Sequence, residues 1–269
     1  MGQDAMMDHV WIIDAFTSVP FRGNPAGVML CEQFPQDAKM QHTAACVNLS
    51  ETAFVVQKSA RDYDLRWFTP DIEVKLCGHA TLAATHVLKQ TGQVKTGDTI
   101  TFHTLSGALP VKLLEKTIEL NFPNQPGVAA KAPAALNALG VEIVACQRND
   151  TNFLVEVKDY KTLLACKPDF KKLKKLAAQG VIVTTATGVP AGFDFASRYF
   201  APAAGINEDP VTGSAHCFLA PYWAEKLGKK TFRAYQASKG RGELDVTLAG
   251  DRVLITGSAV TTLKGKLAA

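Results

Sequence analysis

The sequence predicts an α+β fold built from two related halves. Three observations predict it. Runs rich in β-branched and aromatic residues outnumber helical ones, two Ala-rich helical segments stand at matching places, and short motifs recur in the same order half a chain apart. The 269 residues are 47% hydrophobic and 20% charged, ordinary for a globular chain. Whole-chain disorder, collagen-like repeats and coiled coil are thereby excluded. At about 150 residues per domain, the length allows one large domain or two modest ones.

The elements follow in order. Val10–Phe16 (VWIIDAF) reads as a strand, and Phe21–Gly27 as a Gly/Pro-punctuated loop. Val28–Cys31 is a short strand, Asp37–Val47 a helix, Thr52–Gln57 a strand, and Tyr63–Thr69 a strand stopped by Pro70. Gly78–Gln90 is a helix ending before Gly92, and strands follow near 99–104, 109–114 and 117–122. Residues 121–140 concentrate Pro, Gly, Asn and Ala and mark a domain boundary, giving halves of 1–125 and 126–269, with the last strands able to pack on the first half. The second half repeats the order: strand 151–157, a Lys-rich helix 169–178, strands 181–185 and 193–200, a helix Gly213–Leu227 before Gly228, and short strands near 231–236, 244–248 and 253–256. The lysines of 167–175 alternate with leucines at helical spacing and read as a solvated face.

The repeat is visible in residues. Arg66-Trp-Phe-Thr-Pro70 resembles Arg198-Tyr-Phe-Ala-Pro202, and Gly78-His-Ala80 resembles Gly213-Ser-Ala215. Two like halves commonly enclose a cleft that takes a ligand.

Several functions are excluded. A net charge of +4, from 29 basic and 25 acidic residues, leaves no footprint for nucleic acid. The stretch Met1–Phe16 carries Asp4, Asp8 and Asp14 and has no basic start before a long apolar run, so it is not read as a signal peptide. No window nears the roughly 18 apolar residues of a membrane helix. The expectation is a cytoplasmic protein without a membrane partner. The six cysteines are scattered without a C-x-x-C pair, the histidines lack metal-ligand spacing, and nucleotide-binding and hydrolase motifs are missing. No metal and no cofactor is expected.

Chemistry points to the helix starts. Gly78-His-Ala-Thr81 and Thr212-Gly-Ser-Ala215 each open a helix with glycine, whose first amides lack internal partners and carry positive potential. Such termini can hold a carboxylate without Arg or Lys. The alternative is that Thr212 or Ser214 merely caps its helix. Glu208 and Asp209, just ahead of the second helix, either complement its dipole or, through Asp209, order the loop or exchange protons. The dipole disfavours a cationic His79, so it can shuttle protons as a neutral ring or serve structure alone. Glu51 precedes an apolar strand, where partial burial suits it to acid–base work and full exposure makes it a turn residue.

Asp14-Ala-Phe-Thr17, Gly23-Asn-Pro-Ala26, Leu49-Ser-Glu-Thr-Ala-Phe54, Arg66-Trp-Phe-Thr-Pro70, Gly78-His-Ala-Thr81 and Glu208-Asp-Pro-Val-Thr-Gly-Ser214 together resemble the PhzF-like family of phenazine biosynthesis, within the diaminopimelate-epimerase-like superfamily. The resemblance implies two similar domains, each a β-barrel-like sheet around a central helix, an active site between them, and commonly a homodimer. It implies cofactor-free isomerisation of a small carboxylate by proton transfer at carbon. Glu51, His79 and Asp209 fall on catalytic places, and Asn24, Gly78, Ala80, Thr212, Gly213 and Ser214 on substrate-binding ones. The phenazine-pathway enzyme acts on a dihydro-hydroxyanthranilate and has Gly-His-Pro where this chain has Gly-His-Ala, so that substrate does not carry over. Two-thiol epimerases of the superfamily place a Cys before the helix-opening Gly in both halves. Here Cys77 fills the first place and Thr212 the second, which speaks against a two-thiol racemase and leaves Cys77 as a pocket thiol. Two rivals stand beside the isomerase: a racemase or epimerase using Cys77 with a different second base, and a non-catalytic carboxylate-binding protein.

Overall fold

The structure, a computed structural model, describes residues 9–267, so Asp4 and Asp8 of the acidic start lie outside it. The chain forms two compact units. Unit 1 is Met1–Asn121 with Thr256–Ala269, and unit 2 is Phe122–Ile255.

Unit 1 contains β1 (His9–Ala15), β2 (Asn24–Cys31), α1 (Asp37–Val47), β3 (Glu51–Gln57), β4 (Asp62–Phe68), β5 (Glu73–Val74), α2 (Gly78–Gln90), β6 (Thr99–Thr104), β7 (Gly107–Leu113) and β8 (Ile118–Pro123). The chain end Ala259–Lys266 pairs antiparallel with β1, which pairs antiparallel with β2. The sequence reading missed that terminal strand, which is half polar and held to β1 through its backbone. Strand β2 runs parallel to β3, and β3 antiparallel to β4. Strand β4 pairs antiparallel with β5 and parallel with β6, and β6 to β8 form an antiparallel meander. Parallel neighbours need a crossover, and α1 and α2 supply the two.

Helix α2 is buried around most of its circumference: Ala80, Leu82, Ala83, Ala84, Val87 and Leu88 are all fully enclosed. A helix apolar on every side belongs in a core, and its alanines let the curled sheet approach closely. The outer face of the sheet has its own cluster, where Met40 and Ala44 of α1 meet Met29, Phe54 and Phe68.

Unit 2 contains β9 (Val128–Ala129), a 3-10 turn (Ala134–Leu139), β10 (Ala145–Arg148), β11 (Asn152–Glu156), α3 (Tyr160–Ala165), α4 (Phe170–Leu173), β12 (Gly180–Thr185), β13 (Phe195–Ala201), β14 (Ile206–Asp209), α5 (Gly213–Leu227), β15 (Thr231–Gln236), β16 (Gly242–Ala249) and β17 (Arg252–Gly257). Its pairings repeat those of unit 1. Strands β10 and β11 are antiparallel, β11 and β12 parallel, β12 and β13 antiparallel. Strand β13 takes β14 antiparallel and β15 parallel, and β15 takes β16 antiparallel. Helix α5 is again the buried helix of its unit. It contains Pro221, which cannot donate to the Cys217 carbonyl one turn back. That carbonyl accepts instead from the Gln125 amide, at 3.1 Å.

The expected Lys-rich helix 169–178 is corrected to the single turn α4, capped by Asp169, which accepts from the Lys172 amide. Lys171, Lys172, Lys174 and Lys175 would crowd like charges at helical spacing, and the chain turns off toward Gly180. Helix α3, capped by Asp159, was not foreseen.

The repeated Arg-aromatic motif has a shared job. The Arg66 guanidinium donates two parallel bonds to Glu73, from Nε and Nη2, both at 2.7 Å. Arg198 forks onto Glu208 in the same way, at 2.8 and 3.0 Å. Each lies over the phenylalanine two places on, at 5.2 Å for Phe68 and 4.9 Å for Phe200. Glu208 is therefore the partner of an arginine, which corrects its reading as a complement to the helix dipole. Bidentate charged pairs, partly shielded from water, are the stronger class of hydrogen bond. Glu208→Gln keeps the shape and removes the charge. It is expected to lower unfolding stability by about 1.5–3 kcal/mol, read as a shift in urea midpoint; an unchanged midpoint would show the fork to be incidental.

Candidate active site

In unit 1, Glu51 opens β3 beside the first turn of α2. Its carboxylate is 13% exposed, and its Oε2 lies 3.2 Å from Nε2 of His79, angled away from a straight hydrogen bond. On the other side of the ring, Cys77 Sγ lies 3.4 Å from His79 Nδ1. The thiol and the imidazole are both buried. Burial pushes the His79 pKa well below its ordinary value of 6.5, so the ring is neutral. A neutral ring with its proton on Nε2 faces the carboxylate with a donor and the thiol with an acceptor.

Cys77 is the N-cap of α2 and makes no side-chain cap bond. Its carbonyl accepts from Thr81 Oγ1 at 2.6 Å. The amides of Gly78, His79 and Ala80 form the first turn of the helix and have no partner within it. Ala80 is fully buried, so only its backbone could meet a ligand. Asn24 is buried at the start of β2, where Ala26, two residues on, stands opposite Glu51 in the parallel pair. Thiol, imidazole and carboxylate each offer one atom within 4.8 Å of the others. Such a donor set suits zinc. The imidazole, however, turns different nitrogens to thiol and carboxylate, and one ion could not take all three without rotating the ring.

In unit 2, Asp209, Thr212, Gly213 and Ser214 lie together at the start of α5. Thr212 is the N-cap, and its side chain does not cap the helix. The hydroxyl donates to the Asp209 carboxylate instead. Ser214 is exposed and Gly213 buried. Gln236, which the sequence reading missed, organises this stretch. Its Oε1 accepts from the Thr212 amide at 2.8 Å, and its Nε2 donates to the Asp209 carbonyl and to Thr212 Oγ1, at 2.9 and 3.1 Å. His216 was also missed. Its Nδ1–H donates to the Thr212 carbonyl at 2.8 Å, and its ring stacks on Phe195. Nothing nearby in sequence marks Gln236; His216 was visible as the fourth residue of the helix, matching Thr81.

The strand registers show where the halves diverge. Ala53 stands opposite Trp67 in unit 1, and Ile182 opposite Tyr199 in unit 2. Trp67 and Tyr199 are matched by the repeat, so Glu51 corresponds to Gly180. A Cβ there would come within 2.3 Å of the Tyr199 hydroxyl, which donates to Asn152 Oδ1 at 2.9 Å. An aromatic hydroxyl and an amide occupy the place where unit 1 has its carboxylate. Likewise Thr212 corresponds to Cys77, and Ser214 to His79.

Residues 13–265 match the family of phenazine biosynthesis-like proteins, PhzC-PhzF. The chain belongs to that family. Among PhzC-PhzF relatives, an uncharacterized isomerase of Halalkalibacterium halodurans is 45% identical, the match covering 97% of this chain and 99% of that protein. A PhzF-family crystal structure from Enterococcus faecalis superposes with a TM-score of 0.92 at 40% identity, covering 97% and 99% of the two chains. A probable proline racemase from Agrobacterium radiobacter, at 13% identity, covers 97% of this PhzC-PhzF chain and 92% of its own with a TM-score of 0.64, a likeness of fold.

The two buried histidines make stability depend on pH. His79 is pushed down by burial, and His216 is pushed down to about 4 by burial against the bond to Thr212. Both pKa values lie below the ordinary 6.5, so below that pH the unfolded chain binds protons that the folded chain refuses. Stability is then full above about pH 6.5 and lost as pH falls toward 4, by up to about 1.4 kcal/mol per pH unit for each ring. The urea midpoint is expected to fall between pH 7 and about pH 5.5, above the ordinary carboxylate range. His216→Gln should flatten that slope; a level profile would mean that both rings accept protons in the folded state.

Proposed function

We propose that the chain is an isomerase that moves a proton between carbons of a small carboxylate substrate, with Glu51 as acid and base. The observation that carries the reading is the mostly buried Glu51 carboxylate, 3.2 Å from a neutral imidazole at the start of α2. The isomerase class is supported by the curated relatives that carry that description. In the first step the Glu51 carboxylate takes a proton from a carbon activated by the substrate's conjugation. The C–H bond breaks, an O–H bond forms, and the electron pair moves into the conjugated system. In the second step the Glu51 carboxylic acid gives the proton to another carbon of that system, and the carboxylate is restored. No electrons are gained or lost, so the cycle requires no co-reactant.

His79 turns Nε2 toward the carboxylate and helps place its charge, while the first amides of α2 offer donors for the developing negative charge. Positioned acid–base groups supply typically about 10²–10⁴-fold each. Asp209, Thr212, Gly213 and Ser214 are assigned to the reaction by family resemblance, Asp209 as a second acid–base group and the others as substrate contacts.

A second reading rests on the thiol 3.4 Å from His79 Nδ1. Cys77 would then be the second base of an epimerase, using His79 to form its thiolate. The matching place in unit 2 holds Thr212, whose hydroxyl is committed to Asp209, so a pair of thiols is not available to it.

The two readings separate in D₂O. A panel of cyclic and amino carboxylic acids is incubated with the protein and followed by NMR for deuterium at carbon. Glu51→Gln is expected to slow exchange by about 10²–10⁴-fold, and Cys77→Ser by less than about tenfold. Exchange undiminished in Glu51→Gln would remove Glu51 as the base. Exchange lost in Cys77→Ser would favour the epimerase, and ligand binding without any exchange would favour a binding protein.

A further inference from the structure

The turn from β15 to β16, Ala237-Ser-Lys-Gly-Arg-Gly242, borders a surface pocket of about 520 Å³ in unit 2. Tyr160 of α3, Arg198 of β13 and Tyr235 of β15 line it with Ser238, Lys239 and Arg241. Every charge in the lining is positive. Arg198 is already neutralised: it forks onto Glu208, and its Nη1 donates to the carbonyls of Leu163 and Cys166 at 3.2 and 2.8 Å. Lys239 and Arg241 have no acidic partner among the described residues, in contrast to Lys226, Lys229 and Arg233 of the same unit, each of which meets a carboxylate.

The backbone of the turn that carries them is held by hydrogen bonds. Arg241 has a φ of 56°, uncommon for a residue other than glycine. Its amide donates to Ser238 Oγ at 3.3 Å, and the buried Ser238 hydroxyl donates to the Pro210 carbonyl at 2.5 Å. The Tyr160 phenol lies close enough to feel the Arg241 charge, and burial keeps it protonated and able to donate. Two cations without an acidic partner and the Tyr160 phenol border a space whose lining holds no carboxylate. Arginine's fork and lysine's point charge both suit multivalent oxyanions.

We propose that this pocket binds a small oxyanion bearing two or more charges, of the phosphate or polycarboxylate class. Lys239 and Arg241 supply the charge, and Tyr160 orients it. The same turn is tied to the start of α5, through Ser238 to Pro210 and through Gln236 to Asp209 and Thr212. Occupancy therefore stiffens the stretch that carries Asp209. The proposal does not depend on which reaction the protein performs.

The test is calorimetry and thermal melting of the full chain with inorganic phosphate or citrate, against chloride at matched ionic strength. Saturable heat and a raised Tm are expected with at least one of the two anions, and the stronger response identifies the class. The double variant Lys239→Gln/Arg241→Gln should weaken binding by about tenfold or more while melting like the native protein without the anion. Amide exchange at Thr212 should slow when the anion is bound. No saturable heat at tens of millimolar, or equal affinity in the double variant, overturns the site; unchanged exchange at Thr212 overturns its link to α5. Tyr160→Phe, which leaves the charges in place, should weaken binding more modestly and covers the case of a double variant that does not fold.

Discussion

Everything at the Glu51 site depends on burying α2 on nearly all sides. Its alanines and leucines are enclosed by β-sheet, and the apolar area so removed from water fixes the helix in position. A helix held this way must present its first amides at the rim of the sheet. The side chains of its opening residues then point at the strand ends. Glu51, as the first residue of β3, is one of those ends. The Glu51 carboxylate and the helix terminus are thus brought together by core packing.

The same scaffold occurs twice, and the second copy carries different side chains at the matching places. The registers give Gly180 the place of Glu51, and Tyr199 with Asn152 fills the space. Thr212 and Ser214 stand where Cys77 and His79 stand in unit 1. The carboxylate near the second helix start comes from β14 instead, as Asp209. The Arg–Glu forks survive in both halves because they support the framework, tying β4 to β5 and β13 to β14. The two halves share the structural pairs and differ at the helix starts.

Much of this was legible in residues. Helices α1, α2 and α5 coincide with their sequence ranges; α2 and α5 are Ala-containing runs followed by Gly92 and Gly228. The Arg66 and Arg198 motifs exposed the repeat. His79 was singled out by its place at a helix start, and Cys77 and Glu51 were placed beside it by the family resemblance. Gln236 could not be read, since it reaches Asp209 and Thr212 across 27 and 24 positions, and only pairing of β15 with β13 brings it there. The Lys-rich segment misled because leucine spacing was weighed without the repulsion among its lysines. The partner of Glu208 was hidden by proximity to a helix start, which offered a simpler but incorrect role.

Pro221 has a further consequence for dissecting the protein. The Cys217 carbonyl that it leaves open is satisfied by Gln125, so the central helix of unit 2 is completed by a residue from the first few positions of that unit. A fragment beginning at residue 127 would retain all of α5 and still strand a buried acceptor in its middle turn. Unit 1 has the converse dependence, because Ala259–Lys266 covers the edge of β1. Unit 1 is therefore built from two separate stretches of chain, and unit 2 has to keep the residues that precede its first strand. A separable piece of this protein has to be cut by hydrogen-bond ownership, and the midpoint of the repeat is the wrong place to cut.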